Sequence, residues 1–277
     1  MSSDYEGRAR ALRWLTALVG PRSVVEQAKR LDVSELARKG RGCDPAFVHQ
    51  IEADVPRSGI REEVGRNDLR DVLLAWLSLN PAIGYTQGFN CVAALLLRTF
   101  RIGGVAGPRQ MSLAAMGSVI RINVGLVPLS VEDATPMTRA YDVAKQILAE
   151  VRSSAPSLRL LGKGSDVLTI LVMRVFPVLF VDFWAESALP IALDYILEDF
   201  STAHLTSCVI ASRRCRHLLS AALLLHRKLF VLNAADVRQS FVIFESCCGI
   251  AAAQHVSEIV ELARHLERIE SIAGGVV

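Results

Sequence analysis

An uncharged stretch from Val72 to Leu97 limits what this chain can fold into more than any other feature. It is long enough to cross a bilayer as a single helix. However, Asn80-Pro81 and the polar, glycine-bounded run from Gly84 to Gly88 interrupt it. Backbone groups of such a loop, left unpaired in hydrocarbon, would cost several kcal/mol each, roughly. The stretch therefore predicts two buried helices joined by a turn, and no transmembrane helix.

Helical spacing of apolar residues predicts an all-α fold. Near the N-terminus, for example, Ala11, Trp14, Leu15 and Leu18 fall on one helix face. Aromatic residues make up 6% of the chain while Leu, Ala and Val dominate, which favours helices over a β-sandwich. No alternating strand pattern is sustained. We expect about twelve helices in an antiparallel, largely right-angle arrangement.

The turn-rich segment 153–164 is the best candidate for a division within the chain. It contains Pro156, Gly162 and Gly164, and subdomain boundaries fall in segments of this composition. We expect residues 1–277 to form a single domain of two helical subdomains that meet near 153–164. Four predicted helix starts, based on capping residues, are Asp44-Pro45, the pair Ser23 and Glu26, Asn67 before a helix from Asp68 to Leu79, and the pair Ser130 and Asp133.

Charge and cysteine content narrow the partner classes and the compartment. The net charge of +3 is spread along the chain rather than gathered in a block, which argues against a nucleic-acid partner. The six cysteines form no Cys-x-x-Cys pair, and the N-terminus lacks a signal-peptide pattern. These features predict an intracellular protein whose cysteines are small buried side chains.

Other chemistries find little support in the sequence. The six histidines show no metal-ligand spacing, so surface or cap positions are expected and no metal site. No phosphate-binding loop of the Gly-x-x-x-x-Gly-Lys type occurs, so the chain should not bind nucleotide by itself. The basic cluster from Arg213 to His217 is predicted to be a solvated helix face, with contact to acidic lipid or a partner as the alternative.

The first motif that indicates chemistry is an acid and an arginine at the end of a predicted helix. Asp54 and Arg57 are three residues apart, which makes them neighbours on a helix surface. Pro56 has no N–H to donate, so the helix should end or tighten there and present Arg57 outward. Alone, this pair would be an ordinary exposed ion pair worth about 1 kcal/mol or less.

The second motif is the turn that interrupts the uncharged stretch. Gly84 and Gly88 bound it and allow unusual backbone angles or close approach by a partner. Gln87 can hold a water by donating and accepting at once. Asn90 is expected to cap the following helix, with bracing of Gln87 as the alternative. An arginine that neutralises phosphate charge and a glutamine that aims a water are the groups that speed GTP hydrolysis in small GTPases.

Together the two motifs resemble the TBC domain, the GTPase-activating domain for Rab-type GTPases. Ile-x-x-Asp-x-x-Arg is followed about thirty residues later by Tyr-x-Gln-Gly, and this double match is specific where either half alone is weak. The matching positions are Ile51, Asp54, Arg57, Tyr85, Gln87 and Gly88. Arg10 and Trp14 also resemble the entry helix of that domain, and the resemblance spans roughly Gly7 to Ile250.

The resemblance implies a GTPase-activating protein, an activator rather than an enzyme. Arg57 would be an arginine finger and Gln87 would replace the GTPase's own glutamine. Asp54 and Tyr85 would hold these groups in place, while the bounding glycines would let the loop approach the nucleotide. GTP and Mg²⁺ would belong to the Rab, so no cofactor is expected in this chain. Its location would be cytoplasmic or peripheral on endomembranes, with membranes reached through the Rab alone.

Departures from the family pattern leave two other functions open. Leu197-Glu198-Asp199 stands where the third signature usually ends in Ile-Trp-Asp, Phe180 stands where tryptophan is common, and Ser58-Gly59 is looser than usual. A catalytically inactive, TBC-like scaffold that binds a Rab is the first alternative. The second is a lipid- or peptide-binding module with its groove in the stretch from Val72 to Leu97.

Overall fold

The computed structural model describes residues 3–126, 134–155, 164–181, 183–184, 187–225 and 255–272. Within these residues the regular elements are helices and no strand occurs, which confirms the all-α prediction. The α-helices are α1 Ser3–Leu18, α2 Arg22–Ala28, α3 Val33–Gly40, α4 Pro45–Asp54, α5 Glu63–Leu79, α6 Phe89–Ile102, α7 Pro108–Ile122, α8 Thr135–Ser154, α9 Gly164–Val175, α10 Leu189–Ile196, α11 Leu205–Leu225 and α12, residues 255–272. Two short 3₁₀ helices cover Val55–Arg57 and Val124–Leu126.

The chain divides into two compact units. The first unit comprises Met1–Asp133 and Asp199–Cys208, and the second comprises Ala134–Glu198 and Val209–Val277. The chain thus passes between the units after Asp133, after Glu198 and after Cys208, and the predicted boundary segment 153–164 lies inside the range of the second unit.

Helices α5 and α6 form the centre of the first unit. Leu69, Leu73 and Leu74 of α5 are fully buried, as are Phe89 and Leu97 of α6. The helices are separated by the turn after Asn80, so the prediction of two buried helices around a turn is confirmed. Most apolar side chains of the stretch from Val72 to Leu97 are thus packed inside the unit, whereas the lipid- or peptide-binding alternative needs them to line an open groove. Among the described residues, no helix is both long and apolar enough to span a membrane.

Of the four predicted helix starts, one is confirmed, two are wrong and one lies outside the described residues. Asp44 caps α4 by accepting from the Ala46 N–H at 2.8 Å, with Pro45 as the first helical residue, which confirms that start. Ser23 does not cap, because α2 starts at Arg22 and Glu26 pairs with Lys29 instead. Asn67 does not cap either. It lies inside α5, where its side-chain oxygen accepts from Arg70 at 2.6 Å. Ser130 and Asp133 lie outside the described residues.

The basic cluster on α11 is buried, so the prediction of a solvated face is wrong. His217 is 0% exposed and Arg214 is 8% exposed, while Arg213, with 43% of its side chain exposed, is the most exposed arginine of the cluster. Carboxylates from α8 and α12 neutralise this face, and sequence spacing gives no sign of them. The contacts include Arg216 to Glu150 at 2.9 Å, Arg216 to Glu270 at 2.7 Å, His217 to Glu270 at 3.1 Å and Arg214 to Glu267 at 3.2 Å.

The cysteine prediction holds for one described residue. Cys215 is buried in α11, but Cys43, Cys91 and Cys208 are half-buried. Cys247 and Cys248 lie outside the described residues. Cys43 lies just after the end of α3, and Cys91 lies in the first turn of α6.

Residues of the altered third signature occupy structural positions. The Phe180 ring is 1% exposed and packs on Trp184 at 4.8 Å between ring centroids. Leu197 is buried, and Glu198 pairs with Arg264 of α12 at 2.7 Å. Asp199 adopts a left-handed backbone with φ of 57°. Phe180 and Leu197 therefore contribute to packing within the second unit.

Candidate functional site

The first part of the candidate site is the end of α4. Ile51 is fully buried and anchors the helix to the core, and Asp54 at its end is only 2% exposed. From Val55 the chain tightens into the 3₁₀ helix, as expected where Pro56 lacks an N–H. Arg57 ends this turn with its side chain 71% exposed, and its Nη1 lies 3.6 Å from Asp54 Oδ1. A buried carboxylate thus holds a guanidinium that faces solvent.

The second part is the loop that contains Gln87. Gly84 has a φ of +69°, and a Cβ there would meet the Phe47 ring at 2.5 Å, so both its backbone and its packing require glycine. Trp76 donates from Nε1 to the Gly84 carbonyl at 3.0 Å and fixes the start of the loop. Gly88, with a φ of +98°, ends the loop and precedes α6. Gln87 is exposed between these two anchored glycines.

A buried hydrogen-bond network joins the two parts. The Tyr85 hydroxyl donates to Asp54 Oδ2 at 3.0 Å, and Asn90 Nδ2 donates to the Asp54 carbonyl at 3.1 Å. Asn90 Oδ1 in turn accepts from the Gly88 N–H at 3.1 Å. The predicted cap role of Asn90 is wrong, because Gly88 is the N-cap of α6 and Asn90 already lies in the helix. Asn90 instead ties the end of α4 to the turn that carries Gln87.

The electrostatics of Tyr85 make it a permanent donor in this network. Burial, together with the negative charge of Asp54, raises the pKa of the Tyr85 hydroxyl well above its usual range, so it stays protonated. Its ring packs edge-on against Phe89 at 6.0 Å, and Phe89 packs edge-on against Trp76 at 6.2 Å. The loop is therefore held by a hydrogen bond at one end of the tyrosine and by aromatic packing along its ring.

Sequence reasoning missed one member of the network, Gln50. Its Nε2 donates to Asp54 Oδ2 at 2.9 Å from one turn earlier in α4. The signal was present in the sequence, since residues four apart on a helix are neighbours and a glutamine can donate to an aspartate at that spacing. Neither motif includes position 50, and that is why it was overlooked.

The polar groups that this arrangement exposes are one guanidinium and one amide. Within the part of the chain that the structure describes, no group of three or more His, Cys, Asp or Glu side chains is placed to hold a metal ion. The Arg57 guanidinium is exposed on one segment and the Gln87 amide on another. Buried hydrogen bonds hold both segments in place.

A model of the Rab-GTPase-TBC domain family matches residues 10–211 of the chain. The chain belongs to this family. Both motifs of this TBC domain, from Ile51 to Asn90, lie inside the matched residues. Helix α12 lies beyond them.

The curated relatives share only part of their length with this TBC domain. TBC1 domain family member 2A from Rattus norvegicus is 35% identical over 99 residues, which cover 33% of this chain and 10% of the relative. The Mus musculus protein of the same name is 34% identical over 103 residues, again covering 33% of this chain and 10% of the relative.

A solved structure supports the fold of the TBC domain. The crystal structure of the Chlamydomonas flagellar RabGAP TBC domain aligns with a TM-score of 0.60 over 95% of this chain and 85% of that chain. The two sequences are 13% identical. Residues with few identities thus fold into the same helical architecture.

Proposed function

We propose that this TBC domain accelerates GTP hydrolysis by a Rab-family GTPase, as an activator that supplies catalytic groups in trans. The observation that carries the proposal is the position of the buried Asp54 carboxylate. One of its oxygens faces Arg57 and the other accepts from Tyr85, two residues before Gln87. A single buried group therefore organises an exposed arginine and an exposed glutamine that are far apart in sequence.

In this mechanism Arg57 neutralises the charge that develops on the transferred phosphoryl group. Its guanidinium is always charged and presents a planar fork of donors suited to phosphate oxygens. The pair with Asp54 is long, at 3.6 Å, and the side chain is mostly exposed, so its N–H groups can turn to a partner. Asp54 supplies orientation without locking the guanidinium in a tight bidentate pair.

Gln87 in this mechanism orients the attacking water. Its amide can accept from the water and donate to a phosphate oxygen at the same time. The loop is anchored at the buried Gly84 and Gly88 and exposes Gln87 between them, so its amide is presented to a bound partner. GTP and Mg²⁺ belong to the Rab, and the TBC domain reaches a membrane through the Rab.

The test is single-turnover GTP hydrolysis across a panel of Rabs, with the unaltered chain, Gln87→Ala and Gln27→Ala. Gln27 is exposed on α2 and serves as the matched control. We expect acceleration of at least one Rab by the unaltered chain and by the Gln27 variant. Gln87→Ala should lose most of it, even with a Rab whose own glutamine is intact, because the trans glutamine handles the water.

The scaffold alternative makes the opposite prediction for the same panel. A chain that binds one or more Rabs in their GTP form and leaves hydrolysis unchanged for all of them is a scaffold. A Gln87→Ala variant as active as the unaltered chain would instead leave GTPase activation standing and remove the glutamine from the mechanism.

A further inference from the structure

We propose that Gln50, which lies outside both motifs, is a positioning residue for Arg57. It acts by fixing the rotation of the Asp54 carboxylate. The inference rests on the proposed function, because it assigns Gln50 a part in presenting the arginine finger. One of its tests needs no Rab.

The two carboxylate oxygens of Asp54 have different surroundings. Oδ2 accepts two hydrogen bonds, from Gln50 Nε2 at 2.9 Å and from the Tyr85 hydroxyl at 3.0 Å. Oδ1 lies 3.6 Å from Arg57 Nη1. Oδ2 therefore accepts from the interior donors, and Oδ1 faces the guanidinium.

Two donors are needed because the terminal torsion of an aspartate is soft. Rotation about the Cβ–Cγ bond has broad minima, so one hydrogen bond fixes the carboxylate poorly. Gln50 approaches from α4 itself, whereas Tyr85 approaches from the turn before α6. Donors on two separate elements determine the carboxylate plane. Without Gln50, Oδ2 can leave Tyr85 and the oxygen that faces Arg57 is no longer defined.

The length of the Asp54 to Arg57 contact makes Arg57 sensitive to this rotation. At 3.6 Å the contact is an ion pair rather than a firm hydrogen bond, so the guanidinium follows the position of Oδ1 without being locked to it. A displacement of about 1 Å in a catalytic group can cost on the order of a hundredfold in rate. Gln50 therefore influences the rate without touching the nucleotide.

The first test is the split between kcat and KM for a matched Rab. Gln50→Ala should lower kcat about tenfold, as expected when a group is misplaced rather than removed, and leave KM close to that of the unaltered chain. His49→Ala is the control, since His49 is exposed on the same helix. Unchanged kcat in Gln50→Ala, or a change confined to KM as for a docking contact, would overturn the assignment.

The second test asks whether Gln50 acts through Arg57. Affinity is measured for a Rab loaded with GDP and aluminium fluoride, a mimic of the transferring phosphoryl group. Gln50→Ala should weaken binding in the unaltered background and have no further effect in Arg57→Ala, because coupled residues are not additive. An equal loss in both backgrounds would mean that Gln50 contributes independently of Arg57.

A charge variant separates positioning from packing. Gln50→Glu keeps the shape but sets a second carboxylate beside Asp54, and repulsion between like charges raises the pKa of the new group. Once protonated it can donate to Asp54 as the glutamine does. Its activity relative to the unaltered chain should therefore rise as the pH is lowered across the range in which the unaltered chain stays active. A ratio that stays flat over that range contradicts the proposal.

The last test needs no GTPase, so a failure of the proposed function does not leave the inference untested. In the free chain, ¹⁵N relaxation of the Arg57 Nε–H, assigned by its disappearance in Arg57→Lys, reports the order of that side chain. Gln50→Ala should increase its mobility and His49→Ala should not. Equal mobility in all three proteins overturns the positioning role, whereas an unaltered chain that accelerates no Rab overturns the proposed function instead.

Discussion

Each unit of the molecule contains a buried polar network, and the two networks are built differently. In the first unit the buried carboxylate of Asp54 is surrounded by neutral donors, Gln50 and Tyr85, and the cation that faces it is exposed. In the second unit the cations themselves are buried, and carboxylates from two other helices neutralise them, with Arg216 between Glu150 and Glu270.

The difference indicates which of the two networks fits the proposed role of acting on a partner. The buried cations on α11 are paired with carboxylates of the second unit, so that network joins helices. The network around Asp54 ends in Arg57, a charge that the first unit holds only by a long contact and leaves in solvent. A loosely held, outward-facing group at the end of a rigid network is the arrangement that a trans-acting catalytic arginine needs.

The largest expected effect comes from removing that outward group. Arg57→Ala should lower the stimulated hydrolysis rate of a matched Rab by about 10³-fold to 10⁵-fold, the usual contribution of an arginine finger. Arg57→Lys should fail almost as badly, because lysine keeps the charge but loses the planar fork. Single-turnover hydrolysis and thermal unfolding measure the two consequences separately, and the unfolding temperature should hardly change for this exposed side chain.

Arg41→Ala is the matched control for this prediction, since Arg41 is an exposed arginine at the end of α3. It should keep the full rate. If Arg57→Ala loses stability as much as activity, Arg57 belongs to the folded framework and the contrast between the two networks disappears.

A buried cation of the second unit should show the reverse behaviour. Arg216→Ala leaves Glu150 and Glu270 without their main partner. Breaking a buried ion pair costs about 3–5 kcal/mol, and the partial exposure of Glu270 reduces this to about 2–3 kcal/mol. Urea unfolding measures the loss. At a temperature where the variant stays folded, its rate on a matched Rab should remain within about twofold of the rate of the unaltered chain. This corresponds to a change in activation free energy well below about 1 kcal/mol.

Arg213→Ala supplies the control on the same helix. Arg213 is 43% exposed and lies 3.8 Å from Glu270, so its removal should change stability by about 0.5 kcal/mol or less. Equal losses for Arg213→Ala and Arg216→Ala would show that burial does not distinguish the two arginines.

The same contrast explains what the sequence could predict. In the first unit the Asp54 and Arg57 pair is three residues apart, and the Tyr85 to Asn90 segment is continuous, so local spacing and the resemblance to the TBC domain were enough to find both. The all-α class followed from periodicity for the same reason. What joins the two motifs, the Tyr85 to Asp54 bond across 31 residues, is visible only once the helices are packed.

The polar network of the second unit is built from contacts of longer range along the sequence. Arg216 meets Glu270 across 54 residues, and Ser220 meets Glu150 across 70. A run of basic residues has the same sequence pattern on a solvated face as on a face covered by carboxylates, so its burial could not be predicted. Asn67 and Ser23 failed as caps because their helices begin earlier than the capping pattern predicts, at Glu63 and Arg22.

Tyr85 offers a smaller perturbation at the centre of the first network. Tyr85→Phe keeps the ring packing but leaves buried Asp54 Oδ2 with one donor fewer, which should cost about 1–2 kcal/mol of stability and also lower the stimulated rate. Tyr141→Phe is the control, since Tyr141 is 38% exposed and Lys145 lies over its ring rather than at its hydroxyl. Urea unfolding and hydrolysis on the same samples decide the outcome, and a Tyr85→Phe protein with full activity would separate the network from function.

The final prediction concerns the pH dependence of the second network. Burial, with a smaller effect from the charge of Arg216, lowers the pKa of His217 to about 4 from its ordinary value of 6.5. Between those pH values the unfolded chain binds a proton that the folded chain does not. The free energy of unfolding therefore falls as the pH falls from about 6.5 to about 4, and the loss levels off below that.

The neighbouring carboxylates decide the size of this effect. Burial raises the pKa of Glu150, so the folded state takes up a proton there more readily and part of the loss is offset. Arg216 and His217 lower the pKa of Glu270 despite its partial burial, which adds to the loss. The His217 shift is the largest of the three, and we expect a net contribution of about 1–2 kcal/mol between pH 6.5 and 4.

His217→Gln removes the titrating group, so the unfolding free energy of this variant should depend less on pH in that range. His265→Gln, at an exposed position on α12, should keep the dependence of the unaltered chain. Urea titrations at several pH values compare the three proteins. If His217→Gln follows the same pH curve as the unaltered chain, protons are taken up elsewhere, and the buried charges on α11 do not make the second network sensitive to acid.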